Sequence, residues 1–384
     1  MKVLHVISGL ETGGAELFLE RLLRTLDTSE FESAVISLGE IGPVGRRLQH
    51  RGIAVHALGA GFSPTGIAAI LKIRQVTCRF APDLIQGWLY HGNLGASLAR
   101  RVAGLRCPVV WNVRHCLDGW RQETIGLRAV IRLGGQLSGS AGKIIFNSAA
   151  AARQHERCGY PASKALVIPN GVDCQIFRPD EPARNSMRGS FGFADDTVVV
   201  GIVGRNHPVK DHETFLRASR GLVAQVPSVR IMLIGRDMTT ANRPLARLID
   251  ELELVRHVLL LGERGDIPAL MNAMDVHVSS SWAESFPNTV IEAMACGVPC
   301  VVTDVGASRE IVAECGRVVP SHSPEALTVG LADLVHAGRQ QRRRLGAAAR
   351  ERVQRHYELG SVIARYADFY RALLAGSRRS EPVP

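Results

Sequence analysis

Several features that mark common classes of protein are missing from this chain of 384 residues. No apolar run approaches the roughly 18 residues that a membrane-spanning helix needs. The eight cysteines include no CxxC pair, and Cys296 and Cys300 lack the spacing of a metal finger. We therefore expect reduced thiols rather than disulfides or a structural zinc site, as is usual in the cytoplasm.

Two nucleotide-binding fingerprints are also missing. The segment 8–14, which follows the first predicted strand, lacks the GxGxxG pattern of dinucleotide-binding proteins. No GxxxxGK[ST] segment of a P-loop occurs anywhere. The start of the chain, 1–10, holds one lysine, a short apolar run and no small-residue cleavage site, so we predict a first strand rather than a signal peptide.

The positive charge is concentrated in the first part of the chain. Of the formal net charge of +10, residues 1–170 account for +9, with 20 basic and 11 acidic residues. A basic surface can serve nucleic acid, an anionic membrane or an anionic substrate. A solvated arginine-rich surface without a ligand is an equally simple interpretation.

Short β-rich runs alternate with helical patterns along the whole chain. This order predicts doubly wound parallel sheets with helices on both faces. The predicted strands are 2–8, 33–38, 53–58, 83–87, 108–113, 143–147, 197–203, 229–234, 257–261, 276–279 and 299–302.

A break in this rhythm divides the chain. Residues 169–173 and the prolines after them have turn chemistry and little periodicity, which is typical of a linker. We predict a first Rossmann-like domain over 1–170 and a second over 171–360. Two such sheets would face each other across a cleft at the carboxyl ends of their strands, where such folds bind ligands.

Glycines and cations follow the first strand of each predicted domain. Gly13 and Gly14 allow a ligand close to the backbone, ahead of a helix N-terminus that attracts anions. Arg205 closes the first strand of the second domain, and Lys210 precedes the next helix. Two cations beside a helix N-terminus suit a diphosphate. A tight turn and ordinary surface cations explain each motif equally well when it is taken alone.

The segment 284–299 carries the most specific pattern. Glu284 follows a predicted strand, and Glu292 lies eight positions later in a helix. A carboxylate accepts hydrogen bonds from neighbouring hydroxyls, so a pair of them suits a sugar and a ribose. The backbone N–H groups from Asn288 through Thr289 to Val290 could bind an anion.

With these motifs the sequence resembles glycosyltransferase family four, the retaining enzymes of the GT-B fold. The resemblance covers nearly the whole chain, and E-x7-E with its flanks is its specific part. It implies transfer of a sugar from a nucleotide-sugar donor to an acceptor, with no cofactor and no metal, since no DxD signature is present. It also implies a closing helix over 361–376 that returns to the first domain. If the basic first part of the chain contacts an anionic membrane, the acceptor would be a lipid-linked diphosphate glycan, as in bacterial surface polysaccharide synthesis.

The resemblance also implies roles for individual residues. Arg205 and Lys210 would hold the donor diphosphate, Glu292 the ribose and Glu284 the transferred sugar. Glu263 and Arg264 would lie against the base.

Two departures from the family pattern stand out. Asn288 follows Phe286-Pro287 where the family often has Phe-Gly, so it adds an amide near the sugar and leaves the donor open. The family's cleft histidine corresponds to Arg114 or His115, and we favour His115.

Three other histidines differ in what their positions suggest. His91 is a second candidate on the acceptor side, with a structural hydrogen bond as the blander interpretation. His5 and His277 fall within predicted strands and are expected in the core.

Rival functions remain open at this stage. A nucleotide-sugar 2-epimerase shares the two-domain architecture, and a non-catalytic nucleotide-sugar-binding protein would keep the same cations and carboxylates. A dinucleotide oxidoreductase is disfavoured by the missing fingerprint, and we expect no nucleic-acid partner. We expect a cytoplasmic protein with a peripheral contact on the inner face of the cell membrane.

That membrane contact is predicted from Arg121, Arg128 and Arg132, which would share one face of a single helix. Trp111, Trp120 and several aliphatic residues are interleaved with them, as in segments that lie on an anionic bilayer. A helix packed at the domain edge is the alternative.

Overall fold

The computed structural model describes residues 1–59, 66–120 and 122–379. It divides into two compact units, one of Met1–Asn170 with the segment from Gly360 onward, and one of Gly171–Leu359. Each contains one parallel sheet with helices packed against it, so the predicted pair of parallel-sheet α/β domains is confirmed. The helices are α1 (Gly14–Thr25), α2 (Gly42–His50), α3 (Ile67–Phe80), α4 (Leu89–Val102), α5 (Ile125–Leu137), α6 (Ala149–Glu156), α7 (Glu181–Ser190), α8 (His212–Gln225), α9 (Arg243–Glu251), α10 (Ile267–Ala273), α11 (Asn288–Ala295), α12 (Ser308–Val312), α13 (Pro324–His336), α14 (Gly338–His356) and α15 (Leu359–Arg379).

The sheet of the first unit, called unit 1 below, has seven parallel strands in the order β3-β2-β1-β4-β5-β6-β7. β1 pairs with β2 on one side and with β4 on the other, so the strand order reverses between β1 and β4. The strands are β1 (Lys2–Ile7), β2 (Glu32–Ser37), β3 (Ala54–Ala57), β4 (Leu84–Trp88), β5 (Val109–Val113), β6 (Lys143–Phe146) and β7 (Ala165–Val167).

The sheet of the second unit, unit 2, has six parallel strands in the order β10-β9-β8-β11-β12-β13. This is the 3-2-1-4-5-6 order of dinucleotide-binding folds, and it reverses between β8 and β11. The strands are β8 (Val199–Val203), β9 (Arg230–Ile234), β10 (Val258–Leu260), β11 (Val276–Ser279), β12 (Cys300–Thr303) and β13 (Arg317–Val319).

The unit 2 sheet is buried on both faces. Successive residues of a strand point to opposite faces, and here each face has its own apolar cluster. Val199 and Met232 belong to one cluster, whereas Val200 and Leu233 belong to the other. This explains why the strands read as continuous apolar runs rather than as an alternation.

Helix α15 belongs to unit 1 although it follows unit 2 in the chain. It begins at Leu359 and ends at Arg379, longer than the helix expected over 361–376. Tyr366 and Tyr370 are fully buried, and the Tyr370 hydroxyl donates to Gln86 Oε1 at 2.8 Å.

Two further features concern the cysteines and the helices. All eight cysteines are free thiols. Among the described residues, none of the helices combines the length and the hydropathy that a membrane crossing needs.

Helix α5 begins at Ile125, and the Thr124 side chain caps its first turn. The predicted helix that would include Arg121 is therefore too long at its start, and Arg121 itself lies outside the described residues.

Candidate functional site

The first part of the site is the turn that follows β8. Gly204 and Arg205 directly follow the strand, and Pro208–Lys210 form a short 3-10 turn that leads to Asp211, the N-cap of α8. Gly235, at a φ of +144°, packs so closely on the Gly204 carbonyl that a side chain there would overlap it. The backbone of β9 therefore supports this turn directly.

The loop after β11 holds the same turn in place. The Ser280 hydroxyl donates to the Lys210 carbonyl at 2.8 Å. The backbone N–H of Trp282 donates to the Val209 carbonyl at 3.0 Å, and its indole donates to the Pro208 carbonyl at 2.9 Å. Because β8 and β11 flank the reversal of strand order, these bonds join the two chain segments that border the expected ligand crevice.

An ion pair joins the two segments at their side chains. Lys210 Nζ lies 2.6 Å from Glu284 Oε2, with the two side chains 27% and 19% exposed. The carbonyl of Glu284 packs against Gly306, whose φ of +54° and lack of a side chain allow this approach. A cation and a carboxylate are thus presented together, partly shielded from water, at the carboxyl edge of the sheet.

Helix α11 supplies the second carboxylate of the E-x7-E pattern. Asn288 and Thr289 form its first turn, and the N-cap residue, Pro287, has no side chain that could cap that turn. Glu292 is 8% exposed and lies in the same helix. A ligand hydroxyl that reaches this carboxylate would donate to it largely out of contact with water, where a hydrogen bond is stronger.

Glu263 and Arg264 lie further along the same edge. They follow β10, which is two strands from β8 and therefore roughly 10 Å away. Both are exposed, and Arg264 makes two hydrogen bonds to Asp266, from Nε at 2.8 Å and from Nη2 at 2.5 Å.

The imidazoles near the turn are not a source of positive charge. Burial lowers the pKa of His212 to about 4, although its ring N–H donates to the Arg205 carbonyl at 3.1 Å. The pKa of His207 is also lowered, first by burial and then by Arg205 and Lys210. Arg205, which is exposed, and Lys210 therefore carry the positive charge at this edge.

In unit 1, Gly13 and Gly14 lie where the sequence places them, between β1 and α1. Gly13 is the N-cap of α1 in an extended conformation, and Glu16 lies in the first turn of the helix. Burial raises the pKa of Glu16. The glycines are at the carboxyl end of β1, beside the reversal of strand order.

Arg114 is held by residues of unit 1. Its guanidinium lies 3.8 Å from the centre of the Phe18 ring and donates to the Tyr366 hydroxyl at 3.2 Å and to Asn170. Burial lowers the pKa of Arg114. These contacts give Arg114 a structural role at the junction of β5 with α15.

The next residue, His115, has a different environment. Its Nε2 lies 2.8 Å from Glu123 Oε1, and its ring packs edge-on against Tyr90. Behind them, the Tyr90 hydroxyl is 2.7 Å from His155 Nε2, and the other His155 nitrogen bonds the Ala151 carbonyl. The carboxylate of Glu123 therefore orients a partly exposed imidazole at the carboxyl end of β5.

His91 is exposed near the start of α4, after β4. His5 and His277 are fully buried in β1 and β11, which confirms the expectation that they are core residues. Burial lowers the pKa of each to about 3.

The described residues thus form two groups. Unit 2 brings the residues that we expect to bind the diphosphate and the sugar to one edge of its sheet. There Lys210 and Glu284 are in direct contact. Gly13, Gly14, His91, Arg114 and His115 all lie in unit 1. The sequence did not reveal Glu123 or the loop residues Ser280 and Trp282, because none of their hydrogen bonds is part of a motif.

Comparison with known proteins places this arrangement in a family. The model described as "Glycosyltransferase Family 4" matches residues 12–176, and the model described as "Glycosyl transferases group 1" matches residues 183–352. Together they cover most of both units. The chain belongs to glycosyltransferase family four.

Members of the family with full-length and partial similarity are known. The protein named glycosyltransferase EpsF of Bacillus subtilis is 26% identical over 368 residues, which is 89% of each chain. The D-inositol 3-phosphate glycosyltransferase of Geodermatophilus obscurus is 32% identical over 271 residues, 64% of this chain and 57% of that protein. The enzyme of that name from Mycobacterium marinum is 32% identical, and the match spans 48% of its length.

Solved structures share the fold of this glycosyltransferase. HepE of Anabaena in complex with UDP has a TM-score of 0.84 and 23% identity, covering 97% of this chain and 100% of that one. WaaG, a glycosyltransferase involved in lipopolysaccharide biosynthesis, has a TM-score of 0.72 and 16% identity, covering 96% and 99%. These neighbours are GT-B glycosyltransferases, so the fold class is confirmed.

Proposed function

We propose that this glycosyltransferase takes its sugar from a nucleotide-sugar donor bound at the carboxyl edge of the unit 2 sheet. The observation that carries the proposal is the Lys210–Glu284 ion pair at the reversal of strand order. A diphosphate is bound by cations, and the hydroxyls of a sugar donate well to carboxylates. Here a cation and a carboxylate lie within hydrogen-bond distance of each other.

Each part of the donor has a candidate ligand. Arg205 and Lys210 would bind the diphosphate, whose charge increases as the sugar–phosphate bond breaks. Glu284 and Asn288 would bind the sugar, and Glu292 the ribose. Further roles follow from position: the turn of α11 at Thr289 would face a phosphate, Glu263 and Arg264 would lie near the base, and Gly13 and Gly14 would leave room for the donor in unit 1.

Support for a nucleotide donor comes from a structural neighbour. HepE of Anabaena has been solved in complex with UDP-glucose, with a TM-score of 0.82 over 97% of this chain. At 22% identity that likeness concerns the fold. We transfer from it the class of ligand, a nucleotide sugar, and leave the base and the sugar open.

The transfer would retain the configuration at the anomeric carbon. In this mechanism the bond from that carbon to the phosphate oxygen breaks as the acceptor oxygen attacks from the same face. The acceptor proton passes to an oxygen of the departing diphosphate. His115, oriented by Glu123, is the polar group of unit 1 that we assign to the sugar or the acceptor, with His91 as a second acceptor-side group.

For the acceptor we propose a lipid-linked glycan at an anionic membrane surface. Helix α5 exposes a stripe of apolar residues, each about one helical turn from the next. Arg128 and Arg132 flank this stripe. The stripe consists of Ile125, Ala129, Leu133 and Leu137. Arg132 also lies 5.4 Å from the Trp120 ring centre. Exposed apolar residues beside arginines are what a peripheral membrane helix presents.

The donor is tested by thermal unfolding in the presence of a panel of nucleotide sugars. A ligand that binds only the folded protein raises the unfolding temperature in proportion to the logarithm of its concentration. We expect one nucleotide sugar and its free nucleoside diphosphate to protect the protein, and Arg205→Ala to abolish both effects. No protection by any member, or conversion of the donor to its epimer without an acceptor, would contradict the proposal.

A further inference from the structure

A cavity of about 340 Å³ opens at the opposite edge of the unit 2 sheet. Asp275 and Pro299 line it, and they immediately precede β11 and β12. It is therefore at the amino-terminal edge of the sheet, whereas Lys210 and Glu284 are at the carboxyl edge. One face of α14 and the first turns of α7 form much of its wall.

Arginines dominate the charged lining of this cavity. The five are Arg184, Arg339, Arg342, Arg343 and Arg350. Two of them secure the unit's own structure: Arg184 bonds the Met274 carbonyl and Asp275, and Arg350 bonds the Phe177 carbonyl. The remaining three lie within four residues on α14, where spacings of three and four place side chains on one face.

Arg342 is nine-tenths buried and incompletely bonded. Its Nη1 donates to the carbonyls of Leu334 and Val335 at 3.2 and 2.7 Å, at the end of α13. Its Nε has no hydrogen-bond partner among the described residues. Burial lowers the pKa of Arg342; Asp275 opposes this shift, and the nearby charges of Arg184 and Arg339 add to it. Both the unmet donor and the crowding of positive charge would be relieved by an anion.

A single carboxylate faces the other two arginines. Glu181, at the start of α7, lies 3.3 Å from Arg343 Nη2 and 3.8 Å from Arg339 Nη2. All three side chains are more than half exposed, so these contacts are weak.

The other acids of the lining are engaged with different groups. Asp180 caps α7, Asp275 pairs with Arg184 and Arg188, and Glu351 pairs with Arg355.

We propose that this cavity is a second anion site, which binds a small phosphate-bearing ligand. The phosphate oxygens would accept from Arg339, Arg343 and the cavity-lining guanidinium of Arg342, and would displace the weakly held Glu181. Phosphate geometry matches the planar fork of arginine, and three guanidiniums offer more donors than one carboxylate can use. The donor site at the opposite edge would remain open to its own ligand.

The test is calorimetric titration of the full-length protein with inorganic pyrophosphate at constant ionic strength. We expect saturable binding at about 1 mM or below, weakened at least tenfold in the double variant Arg339→Gln, Arg343→Gln. Arg344→Gln is the matched control, since it removes an exposed arginine of the same helix outside the cavity lining. The substituted residues are exposed, and an unchanged unfolding temperature verifies the fold.

Two further variants distinguish this cavity from the donor site and from a general effect of charge. Glu181→Gln removes the competing carboxylate and should tighten pyrophosphate binding about threefold, an effect in the opposite direction from the arginine substitutions. Pyrophosphate can also bind at the donor diphosphate site, so Lys210→Ala should remove that second binding event and leave the one that depends on Arg339 and Arg343. Loss of all binding in Lys210→Ala, equal effects of the double variant and Arg344→Gln, weaker binding in Glu181→Gln, or no saturable heat would each overturn the proposal.

Discussion

At the scale of single residues, Lys210 and Glu284 neutralise each other at a distance of 2.6 Å. Removing the lysine therefore has two effects at once. A contact to the departing diphosphate is lost, and the carboxylate of Glu284 is left without its cation, where it repels a negatively charged donor. The lysine belongs to neither apolar core, so the fold does not depend on it.

We accordingly expect Lys210→Ala to reduce turnover at least about a hundredfold, the scale for loss of one strong transition-state donor. The measurement is release of nucleoside diphosphate from the donor that protects best in the unfolding panel. Arg217→Ala is the control, because Arg217 makes only an exposed pair with Glu213 on α8. Near-normal turnover of Lys210→Ala would remove the residue from the proposed diphosphate site.

The two glutamates can be separated by the ligand that each one binds. Glu292→Gln should weaken binding of the free nucleoside diphosphate and of the nucleotide sugar alike, because both contain the ribose. Glu284→Gln should weaken binding of the nucleotide sugar only. Calorimetric titration of both ligands against both variants measures this, and equal losses throughout would refute the division of roles.

At this scale, the sequence predicted those site residues that directly follow a strand. Arg205 and Glu284 follow strands that flank the reversal of strand order, and parallel strands bring their carboxyl ends to one edge. The pairing of His115 with Glu123 had no such signal. The two are eight residues apart in an irregular segment, so their contact depends on how that segment folds.

At the scale of secondary-structure elements, α15 contributes buried side chains to unit 1. Tyr366 accepts a hydrogen bond from Asn112 at 3.0 Å, and Tyr370 packs edge-on against Phe31. Both rings are fully buried. The helix is therefore part of the core of unit 1 rather than an appendage.

Tyr370→Ala should lower the free energy of unfolding of unit 1 by about 3–5 kcal/mol, the usual cost of deleting a buried aromatic ring. Urea denaturation followed by hydrogen exchange of each unit measures it, and unit 2 should keep its stability. Arg371→Ala on the same helix is the control. Its exposed pair with Glu30 is screened by water and should contribute little to stability.

Helix α5 provides the test of the membrane proposal. Co-sedimentation with anionic vesicles at low salt should fall at least about fivefold in Arg128→Gln, Arg132→Gln, because each cation near an anionic surface contributes about 1 kcal/mol. Leu133→Gln should reduce binding at high salt as well. Binding equal to that on neutral vesicles, or unchanged in these variants, would remove α5 as the contact.

The strands that lie in longer runs of apolar residues were predicted correctly. All predicted strands occur, with ends shifted by at most two residues. β7 (Ala165–Val167) and β13 (Arg317–Val319) were missed; each has three residues, although the equally short β10 was predicted. Both are outermost strands, whose pairing comes from the neighbouring strand rather than from their own sequence.

At the scale of the whole molecule, each unit buries two neutral histidines. Burial lowers the pKa of His5 to about 3 and of His155 to about 4 in unit 1. It lowers the pKa of His277 to about 3 and of His212 to about 4 in unit 2. In the unfolded chain these histidines have a pKa near 6.5. As the pH falls, the unfolded state therefore binds protons at a higher pH than the folded state does.

Stability should therefore be highest above pH 6.5 and fall as the pH is lowered towards the folded-state pKa values. At pH 5.5 each histidine should cost about 1.4 kcal/mol, which is roughly 3 kcal/mol for each unit. Urea denaturation at pH 7.5 and 5.5 measures the loss, above the range in which carboxylates protonate. His155→Gln should roughly halve the loss in unit 1, and equal stability at both pH values would contradict a role for the buried histidines.

Because α15 follows unit 2 in the chain, unit 1 can be completed only after the ribosome has made unit 2. Unit 1 needs residues from both sides of unit 2, so the ribosome must make the roughly 190 residues of Gly171–Leu359 before Tyr366 and Tyr370 emerge. At about 5–20 residues per second, that is a wait of roughly 10–40 s. During that interval Phe18, which packs against Trp88 and whose ring centre lies 5.8 Å from that of Tyr366, lacks its final covering. The nascent first unit is then a natural client for chaperones, and unit 2 can finish folding first.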